Sequence, residues 1–342
     1  MFKKDFDSMR NILKERSRSS GTEETWRIRC LPYFYLIGMP RSGSTDLTYS
    51  IGFHPYVIRS RLKEFKYWNR ARLQHPAVQL RNYPHELRHY VETFDYMGEI
   101  SRNFTKGFTR QEYPYHPMIL GDESPSYMFD FDAWEQLDVH KGLSEPRFTT
   151  AHYIKQLTPR AKFIITLRNP ADRLFSDYKA FYTTQHKTAR DFDELVRVNI
   201  NLFNNCTKTR TVRACAYSYN STLPFQPVRP RVGIYYIYLV DWFATYPRDQ
   251  FYITRLEDFA EKKSAVASEI FEFLELPPVS DDILFEIDKD TVHNTAVQRS
   301  GKGTTVGELL MWDSTKKIIQ DFYRPWNDKL VQLLGDDKYS FS

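Results

Sequence analysis

Three short runs stand out along the chain because they are dense in apolar, aromatic and β-branched residues: YFYLIGM at 33–39, KFIITL at 162–167 and QFYITRL at 250–256. Runs of this length with little polar alternation predict strands covered on both faces. Between and after them the spacing becomes helical. Residues 45–53 suit a helix directly after the first strand, and ADRLFSDYKAFY sets Leu174, Tyr178 and Phe181 along one side of another. GIYYIYLVDWFATY is a further amphipathic run, and residues 313–334 close the chain as a helix. Asn169-Pro170 marks the turn before the second helix, because the residue before proline avoids the helical region and proline suits the first helical turn. Strands separated by helices predict an α/β fold, a central parallel β-sheet flanked by helices, whose ligands bind beyond the carboxyl ends of the strands. Residues 1–28 predict a basic, frayed helical arm, and residues 29–342 a single α/β domain.

Composition narrows this picture only a little. With 342 residues and 41% hydrophobic content the chain can bury a large core. The net charge of +5, from 48 Lys+Arg against 43 Asp+Glu, is too mild to indicate nucleic acid by itself. No stretch of about 18 apolar residues offers a membrane span, and the polar start lacks the apolar core of a signal peptide. A cytosolic protein and a luminal portion anchored elsewhere both remain open. Cys30, Cys206 and Cys215 match no zinc spacing. Cys206 and Cys215 bracket the polar, turn-like stretch CTKTRTVRAC, where a disulfide hairpin is preferred to two reduced thiols and would require an oxidising compartment. Asn103, Asn205 and Asn220 each open a glycosylation sequon. No histidine joins acids in a metal set; His54 and His75 precede prolines in turns.

The chemistry begins at the ends of the first two strands. In GMPRSGST, Gly38 and Gly43 stand five apart as in a nucleotide-binding P-loop, but Ser44 occupies the position of its lysine. A glycine-bounded turn entering a helix offers backbone N–H groups and the positive end of the helix dipole to a phosphate. Ser42, Ser44 and Thr45 add hydroxyls, and Arg41 adds a charge. In LRNPADRLFSDY, Arg168 at the strand end and Ser176 two turns into the helix can hold a second phosphate. An ATP-using kinase is disfavoured by the missing lysine.

These two motifs, taken together, resemble the cofactor motifs of the carbohydrate sulfotransferases that use 3′-phosphoadenosine-5′-phosphosulfate (PAPS). KEFKYWNR, GDESPSYM, the segment 232–259 and QDFYRPWNDKLVQLLGD extend the resemblance over about residues 30–342, toward enzymes of chondroitin and dermatan sulfate. It implies a sulfotransferase fold related to that of the P-loop NTPases. Arg41, Ser42, Gly43, Ser44 and Thr45 would hold the 5′-phosphosulfate, and Arg168 and Ser176 the 3′-phosphate. No metal is implied, since sulfuryl transfer has no γ-phosphate to handle. The implied reaction is sulfation of a glycosaminoglycan hydroxyl, the 6-hydroxyl of N-acetylgalactosamine 4-sulfate, in the Golgi lumen. A non-catalytic glycosaminoglycan-binding protein is the rival from another class.

Two positions depart from the family pattern. Arg41 stands where lysine is common; arginine stabilises charge on the leaving phosphate but is a poor proton donor. Glu123-Ser124-Pro125 replaces the K-S-P of many heparan sulfotransferases. Glu64 matches the glutamate that takes the acceptor's proton in related enzymes, and Lys63 beside it would orient the sulfuryl group. Around Glu64 lie Arg59, Arg61, Lys66, Arg70 and Arg72, interleaved with Phe65, Tyr67 and Trp68. Cations and aromatic faces suit a sulfated polysaccharide, although single-stranded nucleic acid or a solvated helix face would use the same mixture. Late in the chain, the glycine-rich loop 297–308 would close over the cofactor through Lys302 and Gly303, or would be a plain surface loop.

Overall fold

The computed structural model describes Glu15 and residues 31–59, 64–71, 86–94, 118–132, 134–181, 187–218, 228–290 and 309–341. The rest of the basic arm lies outside these, as do Arg61, Lys63, Arg72, His75, Asn103, Asn220, Lys302, Gly303 and the side chain of Arg70.

Five strands form the sheet: β1 (Phe34–Gly38), β2 (Val57–Ile58), β3 (Ile119–Glu123), β4 (Lys162–Leu167) and β5 (Phe251–Arg255), in the order β2-β3-β1-β4-β5. Every pairing is parallel. Phe34 lies opposite Gly121 on one side and Lys162 on the other, and Phe163 lies opposite Phe251. All five residues of β1 are buried, as expected for a central strand covered on both faces.

Strand periodicity sorts the core into two layers. Tyr35, Ile37, Phe163 and Ile165 face one way, under α3 (Thr150–Leu157), α7 (Tyr235–Thr245) and the end of α11 (Asp313–Leu334). The Phe163 ring lies 5.1 Å from Trp242 and 4.5 Å from Tyr246. Phe34, Leu36 and Ile164 face the other way, under α1 (Ser44–Ile51) and α9 (Lys263–Phe273), against Leu47, Ile51, Val266 and Ile270. Each such fully buried side chain contributes about 1.5–3 kcal/mol.

A third cluster packs α4 (Pro170–Phe181) and α5 (Ala189–Cys206) against α11 through Leu174, Tyr178, Phe192, Val196, Ile319 and Tyr323. Within it the buried Asp177 accepts from Arg173 Nη1 at 2.7 Å and Arg229 Nη2 at 3.0 Å. Burial alone would raise the Asp177 pKa, but the two guanidiniums hold it below the usual carboxylate range. This pairing ties α4 to the segment that carries Arg229.

Cys206 and Cys215 form a disulfide with their Cα atoms 6.0 Å apart. Cys206 ends α5, and a tight connection leads into α6 (Val212–Tyr217), which holds Cys215 and whose first turn is capped by Thr211 accepting from Ala214 N–H. The expected disulfide is present, and it clips the end of α5 to α6 across the turn. Asn205 is exposed in the last turn of α5, its side-chain oxygen 2.9 Å from Lys208 Nζ. Among the described residues no helix is long and apolar enough to cross a membrane.

Candidate active site

The loop after β1 turns sharply into α1. Arg41 and Gly43 both take left-handed backbone angles, φ 69° and 76°. The left-handed angle favours glycine at 43, and a Cβ there would also stand 2.4 Å from Leu256 Cδ1, which would have to move aside. As the N-cap of α1, Gly43 brings no side-chain oxygen to the first-turn N–H groups, which stand at the positive end of the helix dipole. The loop is tied to β4 by Met39 N–H donating to the Thr166 carbonyl at 2.7 Å and Thr166 Oγ1 donating to the Ser42 carbonyl at 2.7 Å. Ser42 is buried with its hydroxyl unpartnered, available to a phosphate oxygen. Ser44 is buried and Thr45 half-buried in the first turn.

The second motif meets the first here. Arg41 Nε donates to Ser176 Oγ at 3.1 Å, and Arg168 Nη1 donates to the Arg41 carbonyl at 3.2 Å. Arg168 is itself held by Tyr235, whose hydroxyl donates to its carbonyl at 2.8 Å. Asn169 accepts from Ala171 N–H at 3.0 Å and so starts α4 in register for Ser176 to face the loop. Two guanidiniums, hydroxyls and an uncapped helix terminus share one end of the sheet. This donor set suits a ligand with two phosphate groups. No group of three or more His, Cys, Asp or Glu side chains placed for a metal ion occurs among the described residues.

The Glu64 segment lies beyond the carboxyl end of β3. Glu64 N–H donates to the Glu123 carbonyl at 3.0 Å, and Met128 N–H donates to the Ile37 carbonyl of β1 at 2.9 Å. Glu64 and Lys66 are both left-handed, φ 61° and 51°, at a cost of about 1–2 kcal/mol each for residues with a Cβ. The turn brings Lys66 Nζ to 3.0 Å from Glu64 Oε2 while the Glu64 side chain stays 42% exposed. Lys66, which the sequence places among the acceptor-binding cations, is thus the described partner of the candidate base.

Trp68 corrects an expectation. Its ring is buried, 4.9 Å from Tyr67 and 5.5 Å from Tyr90, so it packs inside the protein and offers no face to a sugar. Phe65 and Tyr67 are buried in the same cluster. Arg59 is exposed, its guanidinium 4.2 Å above the Tyr49 ring.

Beneath this segment sits Asp122, fully buried at the end of β3. It accepts from Ser124 Oγ at 2.7 Å, from the Tyr90 hydroxyl on α2 (Leu87–Glu92) at 2.8 Å and from the Tyr127 hydroxyl at 2.9 Å. Burial pushes its pKa up to about 6, against the lowering effect of those three hydrogen bonds. The Tyr90 and Tyr127 phenols are raised well above their ordinary value, chiefly by burial and then by the charge of Asp122.

A sequence profile of the sulfotransferase domain matches residues 32–307. The chain belongs to the sulfotransferase family. The domain has the PAPS-binding sulfotransferase fold. The chain is 35% identical over 347 aligned positions to carbohydrate sulfotransferase 15 of Mus musculus, an alignment covering 99% of this chain and 60% of that protein. Against carbohydrate sulfotransferase 15 of Homo sapiens it is 35% identical over 322 positions, 92% of this chain and 55% of that protein. The chain therefore spans a little over half the length of these relatives. The sulfotransferase of Alicyclobacillus acidocaldarius shares the fold, with a TM-score of 0.57 at 18% identity over 91% of this chain and 99% of that one.

Sequence reasoning missed Asp122, Tyr90, Tyr127, Thr166 and Tyr235. The available signal was GDESPSY, where an acid pair follows an apolar Met-Ile-Leu run and precedes hydroxyl residues.

Proposed function

We propose that this sulfotransferase domain moves the sulfuryl group of PAPS to a glycosaminoglycan hydroxyl, the 6-hydroxyl of N-acetylgalactosamine 4-sulfate in chondroitin or dermatan sulfate. The observation that carries the reading is the meeting of the two phosphate motifs, with Arg41 bonded to Ser176 and contacted by Arg168. PAPS supplies an activated sulfur whose bond to phosphate breaks as the acceptor oxygen bonds to it. Arg41 stabilises the charge that collects on the departing phosphate, as a fixed cation does at low dielectric. Arg168 and Ser176 hold the 3′-phosphate. Glu64 takes the hydroxyl proton, a role open to a half-exposed carboxylate within reach of the acceptor. Lys66 pairs with that carboxylate, Lys63 orients the sulfuryl group, and Arg59, Arg61, Arg70 and Arg72 meet the anionic polymer. Lys302 and Gly303 close over the nucleotide.

The Cys206–Cys215 disulfide suits an oxidising compartment, in keeping with work in the Golgi lumen. Exposed Asn205, together with Asn103 and Asn220, would then be open to glycosylation. Labelled PAPS incubated with chondroitin, dermatan and heparan chains, followed by disaccharide analysis, tests the reading. Label at the 6-position of 4-sulfated galactosamine units is expected. Label confined to heparan products, or none, overturns it.

A further inference from the structure

We propose that Asp122 is a positioning residue, its buried carboxylate fixing the hydrogen-bond polarity that holds the Glu64–Lys66 turn in its active shape; the functional consequence rests on Glu64 being the base. Each hydroxyl has a single proton to give. Ser124 spends its proton on Asp122, so the oxygen it turns outward must accept, and it accepts from Lys66 N–H at 3.2 Å. Tyr127 does the same: its proton goes to Asp122, and its oxygen accepts from Tyr67 N–H at 3.1 Å. Tyr90 gives its proton to the same carboxylate oxygen as Tyr127 and stacks on the Tyr67 ring at 4.4 Å.

Three donors therefore converge on a group that only accepts, and three backbone N–H groups of the catalytic turn hang from the far side, Trp68 N–H reaching the Tyr127 oxygen at 3.5 Å. These bonds are what holds the left-handed angles of Glu64 and Lys66 against their intrinsic cost. A neutral amide at position 122 would turn one acceptor oxygen into a donor. One hydroxyl would then have to reverse, and its backbone N–H would lose its acceptor. Protonation of Asp122 has the same effect. Among the described residues, the other titratable groups that face it are Tyr90, Tyr127 and, from β1, Tyr35.

The test compares Asp122→Asn, Ser124→Ala, Tyr127→Phe and Glu64→Gln in the whole chain. Hydrogen exchange over residues 64–71, kcat, both KM values and calorimetric binding of 3′-phosphoadenosine-5′-phosphate (PAP) are measured for each. Asp122→Asn is expected to lower kcat by about 10²-fold, the scale of a misplaced catalytic group. It should speed exchange at Lys66 and Tyr67 while leaving PAP affinity and donor KM near parental. Ser124→Ala should do the same to a smaller degree at Lys66, and should add little on top of Asp122→Asn. Ser124→Ala and Tyr127→Phe each cut a single link, and they carry the test if Asp122→Asn does not fold.

Parental exchange over residues 64–71 in these variants overturns the proposal, as does a loss of PAP binding equal to the loss of kcat. If Glu64→Gln keeps the parental kcat, the base assignment fails separately. The exchange data still judge the link from Asp122 to the turn.

Discussion

Replacing Gly43 by alanine perturbs the phosphosulfate loop at one atom, and its cost can be worked from the geometry. The backbone angle φ of 76° is left-handed, which costs an alanine about 1–2 kcal/mol. The new methyl would lie 2.4 Å from Leu256 Cδ1, well inside the ~3.5–4.0 Å of an ordinary carbon contact. Leu256 opens α8 (Leu256–Glu261) directly after β5, and its methyl is the free end of a side chain that can rotate. The overpacking therefore falls in the lower part of the usual 1–3 kcal/mol range. Together the two terms come to roughly 2–4 kcal/mol of lost stability.

Denaturant unfolding of Gly43→Ala, Leu256→Ala and the double variant separates these contributions. Leu256→Ala removes the clash but not the backbone cost, so the double variant should be more stable than the sum of the two losses implies, by about the clash energy. Calorimetry with PAP should show weakened binding in Gly43→Ala, because the first-turn N–H groups no longer converge. A variant with parental stability and parental PAP affinity would refute both the backbone argument and the placement of the phosphosulfate.

Four further outcomes are expected. Arg168→Ala should lose about 1.5–3 kcal/mol of PAP affinity and most of the preference for PAP over 5′-AMP; equal calorimetric affinity for the two nucleotides in the parent would sink the 3′-phosphate assignment. Glu64→Gln should lower kcat by about 10²–10⁴-fold with PAP affinity kept, and a variant retaining more than roughly a tenth of parental turnover would show that another group is the base. Replacing Cys206 and Cys215 by serine opens a crosslink of sequence separation 9, worth about 2–3 kcal/mol by loop entropy; unchanged denaturant stability would contradict this. Asp122 binds its proton more tightly folded than unfolded, since its pKa rises from 3.8 to about 6. Its contribution to stability is thus full below about pH 4 and lost as pH rises through about 6, by roughly 3 kcal/mol. Parent stability relative to Asp122→Asn should fall across that window in denaturant titrations, and a rise would reverse the argument.

The sheet and the glycine turn between β1 and α1 were legible because their signals are local. β1, β4 and β5 are dense apolar runs, and the two glycines of the 38–43 segment mark a tight turn ahead of a helix. β3 escaped notice because Gly121, Asp122 and Glu123 break the apolar pattern. Those polar groups are tolerable in a buried strand only through partners such as Tyr90, which is distant in sequence. Trp68 misled for a related reason: its segment is as basic as a surface, yet its aromatic residues face inward against α2. The Cys206–Cys215 pairing was readable from spacing and polarity, whereas the helices on either side were hidden by polar helix ends that resemble a loop. Nothing local marks Glu64 and Lys66 as left-handed, so their ion pair followed only from the fold.

The place of β1 in the sheet has a consequence for how such enzymes diversify. Its β4 edge carries the groups assigned to the nucleotide, held by Thr166, Tyr235 and the buried Asp177 cluster. Its β3 edge carries the turn assigned to the acceptor, held by Asp122. The two assemblies draw on different anchors on either side of one strand. Under the proposed assignments, changes confined to the turn at residues 64–66 would alter the acceptor side while leaving the anchors of the donor side in place, so a lineage could change what it decorates while keeping what it spends.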